Sequence, residues 1–251
     1  MKKIIMLVLV FFVFTMFASA ITVDEIINNN LKVKGGIDNI KAIKTIHITG
    51  IMKKMGMEMK LELWNKNPSK LKINVWVSGK KMTFGYNGKD VWQVSPFTGL
   101  GDKAQILTGE QADEIKDNAD EFEEMFVDYK KKGIKIVLIG KEDMEGTPVY
   151  KLKLTKKNGK EIFYFIDTES FIELKTLVYK KKNETETKIE TYLGDFKKLK
   201  GVMMAHNLSI KINGQDAVKM VFEKIETNVK IEDSFFDVPV EKDKKLKKPK
   251  K

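Results

Sequence analysis

From Thr45 to Val94 the apolar residues return at every second position, and the runs are separated only by short turns. Ile46, Ile48 and Met52 come first. Met57, Met59, Leu61 and Leu63 then alternate with Glu58, Lys60 and Glu62, and Leu71, Ile73, Val75 and Val77 with Lys72 and Asn74. Met82, Phe84 and Tyr86 follow, and then Val91 to Val94. A period of two places one apolar and one polar face on each strand. The breaks at Met55-Gly56, Asn67-Pro68-Ser69, Ser78-Gly79 and Asn87-Gly88 are turn signals. Parallel strands would need crossover segments of a dozen or more residues, and none fit between these runs. The pattern therefore predicts an antiparallel meander with one buried face.

A second series begins after Gly133. Apolar runs cover 134–139, 149–155, 162–166, 171–179, 187–196, 202–212 and 217–229, with Ser234-Phe235-Phe236 as a final apolar plug. Two segments change period to that of a helix. Thr22 and Glu25 form a capping box ahead of Ile26, Ile27, Leu31 and Val33, and Gly35-Gly36 stops that helix. A short helical turn through Ile37, Ile40 and Ile43 follows. Residues 96–109 read as an irregular loop. Glu110 to Tyr129 reads as a helix with Ala112, Ile115, Ala119, Phe122, Met125 and Phe126 on one stripe and acids opposite.

Open sheets that twist strongly seldom stay flat at about 10 strands or more, so a meander of about 11–12 strands must curl. The predicted class is mainly β (α+β): a large antiparallel curled sheet, or half-open β-barrel. The N-terminal helix and the mid-chain helix lie against its concave face. Two helices cannot cover so many inward positions, so the sheet should enclose an apolar space.

Composition excludes much else. The chain has 251 residues, no Cys and two His, and all 46 of its basic residues are Lys. Without Cys there is no disulfide, thiolate metal site or Cys nucleophile. Without Arg there is no planar fork for bidentate phosphate or carboxylate recognition. The formal charge of +11 sits largely at the ends. Lys2 and Lys3 open the chain, and residues 241–251 hold seven Lys against Glu241 and Asp243. The body is near neutral, so no nucleic-acid partner is expected.

Met1-Lys2-Lys3, the apolar run Ile4 to Phe17 and Ala18-Ser19-Ala20 have the three parts of a signal peptide, with cleavage expected after Ala20. The expected organisation is a signal peptide over 1–20, one domain over 21–240 and a disordered Lys-rich tail over 241–251. Export points to the periplasm.

Catalytic patterns are missing. The sequence has no G-x-S-x-G, H-E-x-x-H, P-loop or G-x-G-x-x-G. His47 and His206 each stand alone in a strand, which is the ordinary setting of a structural histidine. The acids of 110–128 lack the spacing of a calcium loop and read as a solvated helix face. Met52, Met55, Met57 and Met59 lie close together, and thioethers suit Cu(I). Met57 and Met59 continue into Leu61 and Leu63, however, so an apolar strand face explains them better. No enzyme activity, metal or cofactor is expected. Trp64, Trp76, Trp92, Phe84, Tyr86, Phe163, Phe165 and Phe171 are available to line a cavity or to pack beneath helices.

The order of these elements resembles a known family. Trp64-Asn65-Lys66-Asn67-Pro68-Ser69-Lys70-Leu71-Lys72, then Asn87-Gly88-Lys89-Asp90-Val91-Trp92 with Pro96-Phe97, is similar to the LolA/LolB-like outer-membrane lipoprotein-sorting proteins. Gly140 to Leu152 and Tyr164-Phe165-Ile166-Asp167-Thr168-Glu169 resemble the family's second sheet half. The resemblance implies a half-open barrel that carries lipoproteins by holding their acyl chains. It also implies an Arg that ties lid to barrel, and this chain has none. The expected cavity residues are Met57, Met59, Leu61, Leu63, Leu71, Ile73, Val75, Phe84, Tyr86 and Trp92. The expected partners are acyl chains, and membranes touched transiently through the Lys-rich tail, with the protein a monomer. An envelope sensor that binds acylated or unfolded proteins is the other reading.

Overall fold

A computed structural model describes residues 21–101, 103–120, 124–182 and 184–240. The expected signal peptide and the expected disordered tail lie outside these residues.

Two meanders build one sheet. The first comprises β1 (Thr45–Lys54), β2 (Met57–Lys66), β3 (Lys70–Val77), β4 (Lys80–Tyr86), β5 (Val91–Val94) and β6 (Gln105–Leu107). The second comprises β7 (Lys135–Met144), β8 (Thr147–Thr155), β9 (Glu161–Asp167), β10 (Glu173–Lys182), β11 (Thr185–Leu199), β12 (Val202–Ile212) and β13 (Gln215–Thr227). Neighbours in sequence are neighbours in space, and β1 pairs with β13 to join the halves into 13 strands in the order β6-β5-β4-β3-β2-β1-β13-β12-β11-β10-β9-β8-β7. All pairs are antiparallel, and the sheet curls without closing.

The extra strand is β6, which falls in the segment expected to be loop. Leu107 pairs with Val91 and is buried there, so a short edge pairing satisfies backbone that would otherwise be stranded.

Among the described residues three α-helices accompany the sheet: α1 (Val23–Val33), α2 (Ile37–Ala42) and α3 (Glu110–Asp120). The capping box on α1 forms in full: the Glu25 amide donates to Thr22 Oγ1 at 3.2 Å, and the Thr22 amide to the Glu25 carboxylate at 2.7 Å. The C-terminal end of α1 meets the β11–β12 turn closely. A Cβ on Gly35 would lie 2.1 Å from the Gly201 carbonyl oxygen, so only glycine allows this approach.

The mid-chain helix is shorter than expected, ending at Asp120 rather than Tyr129. Met125, Phe126 and Val127 are consecutive and all buried. Consecutive residues cannot share one helical stripe, and this segment instead fills the space between α1 and strands β8 and β9.

The largest core cluster joins Ile26, Ile27 and Leu31 of α1 to Phe126, Tyr150, Leu152, Leu154, Tyr164 and Ile166. Buried Asn30 fixes α1 to the β9–β10 connection by donating to the Phe171 carbonyl at 2.7 Å. The chain beyond β13 crosses to the opposite face of β1–β5. There a 3-10 turn (Asp233–Phe236) buries Phe236 completely, as the apolar plug predicted.

Topology makes the lid. β6 and β7 are the two edges of the sheet, so the connection through α3 and 124–134 runs from one edge to the other. In a curled sheet that path crosses the mouth of the concave side.

Candidate functional site

A cavity of about 840 Å³ lies on the concave face. Its floor comes from the central strands. Cross-strand partners project to one face, and the register pairs Ile48 with Ile225, Leu193 with Leu208, Ile210 with Thr191, and Val178 with Ile189. Ile46, Ile162 and Tyr164 extend this surface. Ile40 and Ile43, at α2 and its C-terminal cap, close it from above with Met125 and Val127.

The rim is charged. Lys34 at the end of α1 pairs with Glu124 and stands 3.9 Å from Glu173. Burial pushes the Lys34 ammonium down, but the two carboxylates outweigh it and hold its pKa above the usual lysine value. Lys160 donates to Asp117 at 2.8 Å, and Lys180 pairs with Glu114. Lys182 pairs with Glu110 at the first residue of α3. Those acids were expected to be a solvated face, but they bind the lysines of β10 and of the β8–β9 turn. The Lys182 hydrogen bond lowers the Glu110 pKa, and Glu110 in return raises that of Lys182. The tie from lid to sheet is therefore made by Lys.

The other side of α3 is apolar. Ala112 and Ile115 pack on Val91, Leu107, Phe84 and Tyr86 of the first meander. The helix thus spans the mouth, with its apolar side on one half of the sheet and its acids on the other.

The register places Met57, Met59, Leu61, Leu63, Leu71, Ile73, Val75, Phe84 and Tyr86 on the same concave face as Ile46 and Ile48. None of them contributes to the wall of this cavity. Met59, Leu61 and Val75 are buried in a cluster with Met52, Ile73, Met220 and Phe222. Phe84 and Tyr86 lie under α3, Leu71 is buried beside them, and Met57 is half exposed. The reason is the lid: α3 sits on β3–β5, so the space left over lies above β1 and β9–β13.

Trp92 is a correction. It pairs with Gly85, on the opposite phase from Phe84 and Tyr86, and so faces the convex side. Its indole N–H donates to the Phe236 carbonyl at 2.9 Å, and a Cβ on Gly85 would lie 2.2 Å from the ring. Trp64 lies on the same side, stacked on His47 at 4.7 Å and edge-on to Phe235. Lys72 holds the plug from that face, its ammonium 4.0 Å from the Phe235 ring centre and 3.0 Å from the Phe235 carbonyl. Burial, and then Lys81, lower the Lys72 pKa. These aromatics anchor the C-terminal plug.

The wall residues that sequence reasoning missed include Ile46, Ile48 and Val178, and in the last three strands Ile189, Leu193, Leu208, Ile210 and Ile225. Their alternation was visible, but nothing local distinguishes them from the equally regular β2 and β3. No group of His, Cys, Asp and Glu suited to a metal occurs among the described residues. A volume of this size lies within the range of about 300–1,000 Å³ typical of ligand sites. The strands offer apolar surface with Thr176, Thr191 and Tyr164, a chemistry of burial, and the remaining lining adds lysines, acids and amides such as Lys41, Lys44, Asn67, Asn118 and the buried Glu173.

Among solved structures, the fold is similar to that of proteins described as belonging to the LolA superfamily and to lipoprotein sorting. A LolA superfamily protein from Nitrosomonas europaea superposes with a TM-score of 0.56 at 12% identity, covering 87% of this chain and 98% of that one. A domain from Vibrio parahaemolyticus, described as that of an outer membrane lipoprotein-sorting protein, gives 0.53 at 14% identity, covering 85% and 95%. A DUF1329 family protein from Desulfovibrio piger gives 0.58 at 15% identity, covering 86% and 97%. No protein-family model matches the sequence, and no curated protein matches it. The likeness is one of fold.

Proposed function

We propose that this protein is a non-catalytic carrier that binds the acyl chains of lipids or lipoproteins, working in the periplasm in outer-membrane lipoprotein sorting. The observation that carries this reading is the apolar cavity of about 840 Å³ beneath a lid that crosses the mouth of the sheet. Each CH₂ transferred from water to such a surface contributes about 0.8 kcal/mol, so part of one acyl chain suffices for measurable affinity. The lipoprotein-sorting description of the Vibrio domain supports the same class of cargo. The carrier acts as a monomer, needs no cofactor, and uses its Lys-rich tail for weak, salt-sensitive contact with anionic membranes. Each Lys near such a surface contributes about 1 kcal/mol.

Native mass spectrometry of purified protein should show a co-purifying lipid. Ile48→Glu and Ile210→Glu, each placing a carboxylate in the wall, should abolish binding of a fluorescent fatty acid while the protein stays folded. Unchanged binding in both folded variants would sink the assignment. Deleting 241–251 should lower sedimentation with anionic vesicles at low salt and leave fatty-acid affinity unchanged.

A further inference from the structure

The sequence groups four methionines at 52–59 and separates them from Met220 by more than 150 positions of chain. The sheet removes that separation. Met52 on β1 is the cross-strand partner of Met59 on β2 and, on its other side, of Met220 on β13. The three side chains therefore stand in a row on the concave face. Directly opposed Cβ atoms in antiparallel pairs lie about 4.5–5.5 Å apart, within reach of two thioethers converging on one ion. All three belong to one packed cluster with Leu61, Val75 and Phe222. Met59 is only 5% exposed. None of the three contributes to the wall of the large cavity.

We propose that Met52, Met59 and Met220 form a site for a soft monovalent cation, Cu(I), held by three thioethers. Thioether sulfur is neutral, soft and polarisable, and it selects Cu(I) over the hard cations that carboxylates and water prefer. It also needs no deprotonation, unlike thiol or imidazolium, so binding should not depend on pH between 5 and 8. Apolar neighbours strengthen the preference, because Leu61, Val75 and Phe222 give a hard, hydrated divalent ion nothing to exchange its water for. Met57 lies two residues from Met59 on the same face and is 49% exposed, and Met55 in the adjoining turn is 85% exposed. These two supply thioethers between solvent and the buried row.

The test is competition for Cu(I) without oxygen, against a chromophoric Cu(I) chelator, with Ag(I) as a redox-inert second probe. The full chain should remove one equivalent of Cu(I) with an unchanged affinity from pH 5 to pH 8. X-ray absorption should show a shell of sulfur only. Mutating outer-shell partners at metal sites typically costs 10–100-fold, so loss of a direct ligand in Met52→Leu should lower affinity by at least about 100-fold. Met and Leu are close in volume, so the triple variant M52L/M59L/M220L should keep its melting temperature and lose the site. Met55→Leu with Met57→Leu should retain it. Failure of the wild-type chain to compete for Cu(I) would overturn the proposal. So would retention of the equivalent by a folded triple variant, or its loss in the Met55/Met57 variant alone, which would place copper on the exposed hairpin.

Discussion

The two halves of the sheet hold the same helix by opposite chemistry. The first meander grips α3 through Ala112 and Ile115 against Val91, Leu107, Phe84 and Tyr86, a water-excluding contact. The second grips it through Lys160, Lys180 and Lys182 on Asp117, Glu114 and Glu110, contacts open to water. Burial is strong and indifferent to salt, whereas exposed ion pairs contribute little and are screened. The difference makes the first half an anchor and the second a catch. The catch lies along the mouth of the cavity, while the rest of the connection, Met125, Phe126 and Val127, is packed between α1 and strands β8 and β9.

Breaking the anchor should have the largest effect. Ala112 is 2% exposed, and Ala112→Asp would bury a carboxylate without a partner. We expect a loss of about 3–5 kcal/mol in chemical denaturation, the range for an uncompensated buried charge. A loss under 1 kcal/mol would mean that α3 is not held by its apolar side.

A smaller effect is expected on the convex face of the same half. Gly85→Ala must displace the Trp92 indole, which gives up its hydrogen bond to the Phe236 carbonyl. A cost of about 1–3 kcal/mol follows, typical of overpacking, with a red shift of tryptophan emission as the plug loosens. Trp92→Phe removes the hydrogen bond and part of a fully buried ring, so it should cost more than the roughly 1 kcal/mol of the hydrogen bond alone.

The catch should barely register in global stability. Lys180→Gln with Lys160→Gln should cost less than about 1 kcal/mol in all. Amide exchange in α3 should nonetheless quicken, and fatty acid should leave faster. High salt should produce the same quickening in the wild-type chain and less in the variant. Equal salt dependence in both would remove the ionic catch from the account.

The smallest effect is that of pH. Glu110 is held below its ordinary pKa by the Lys182 hydrogen bond, so folding favours its charged form. That contribution is fully present above the ordinary carboxylate pKa and fades as pH falls through the carboxylate range. Lys182, raised by Glu110, contributes below the ordinary lysine pKa and fades in strong alkali. The catch is therefore firm at neutral pH, and acid should lower the protection of the α3 amides, measured against the intrinsic exchange rate at each pH, before it lowers the melting temperature. Lys182→Gln should remove most of the Glu110 part of that acid response, leaving the weaker pull of Lys180.

The amino-acid sequence by itself determined the antiparallel meander, because side-chain period and turn chemistry are local properties. It also determined the capped first helix, through Thr22 and Glu25, and the final plug at Phe235-Phe236. The concave face of β2–β4 was legible for the same reason, since alternation assigns a face. Trp92 was misassigned because a short strand such as β5, with valine at both ends, gives alternation little to work on. Tertiary structure alone decided where on the concave face the space would be. The strand order sends the β6–β7 connection from edge to edge, so α3 covers β3–β5 and leaves the cavity over β1 and β9–β13. It likewise turned the acids of α3 from a solvated face into a catch, and it brought Met220 beside Met52. These outcomes depend on pairing residues far apart in the chain. No local period encodes such pairing, because only closure of the β1–β13 ladder brings those positions together.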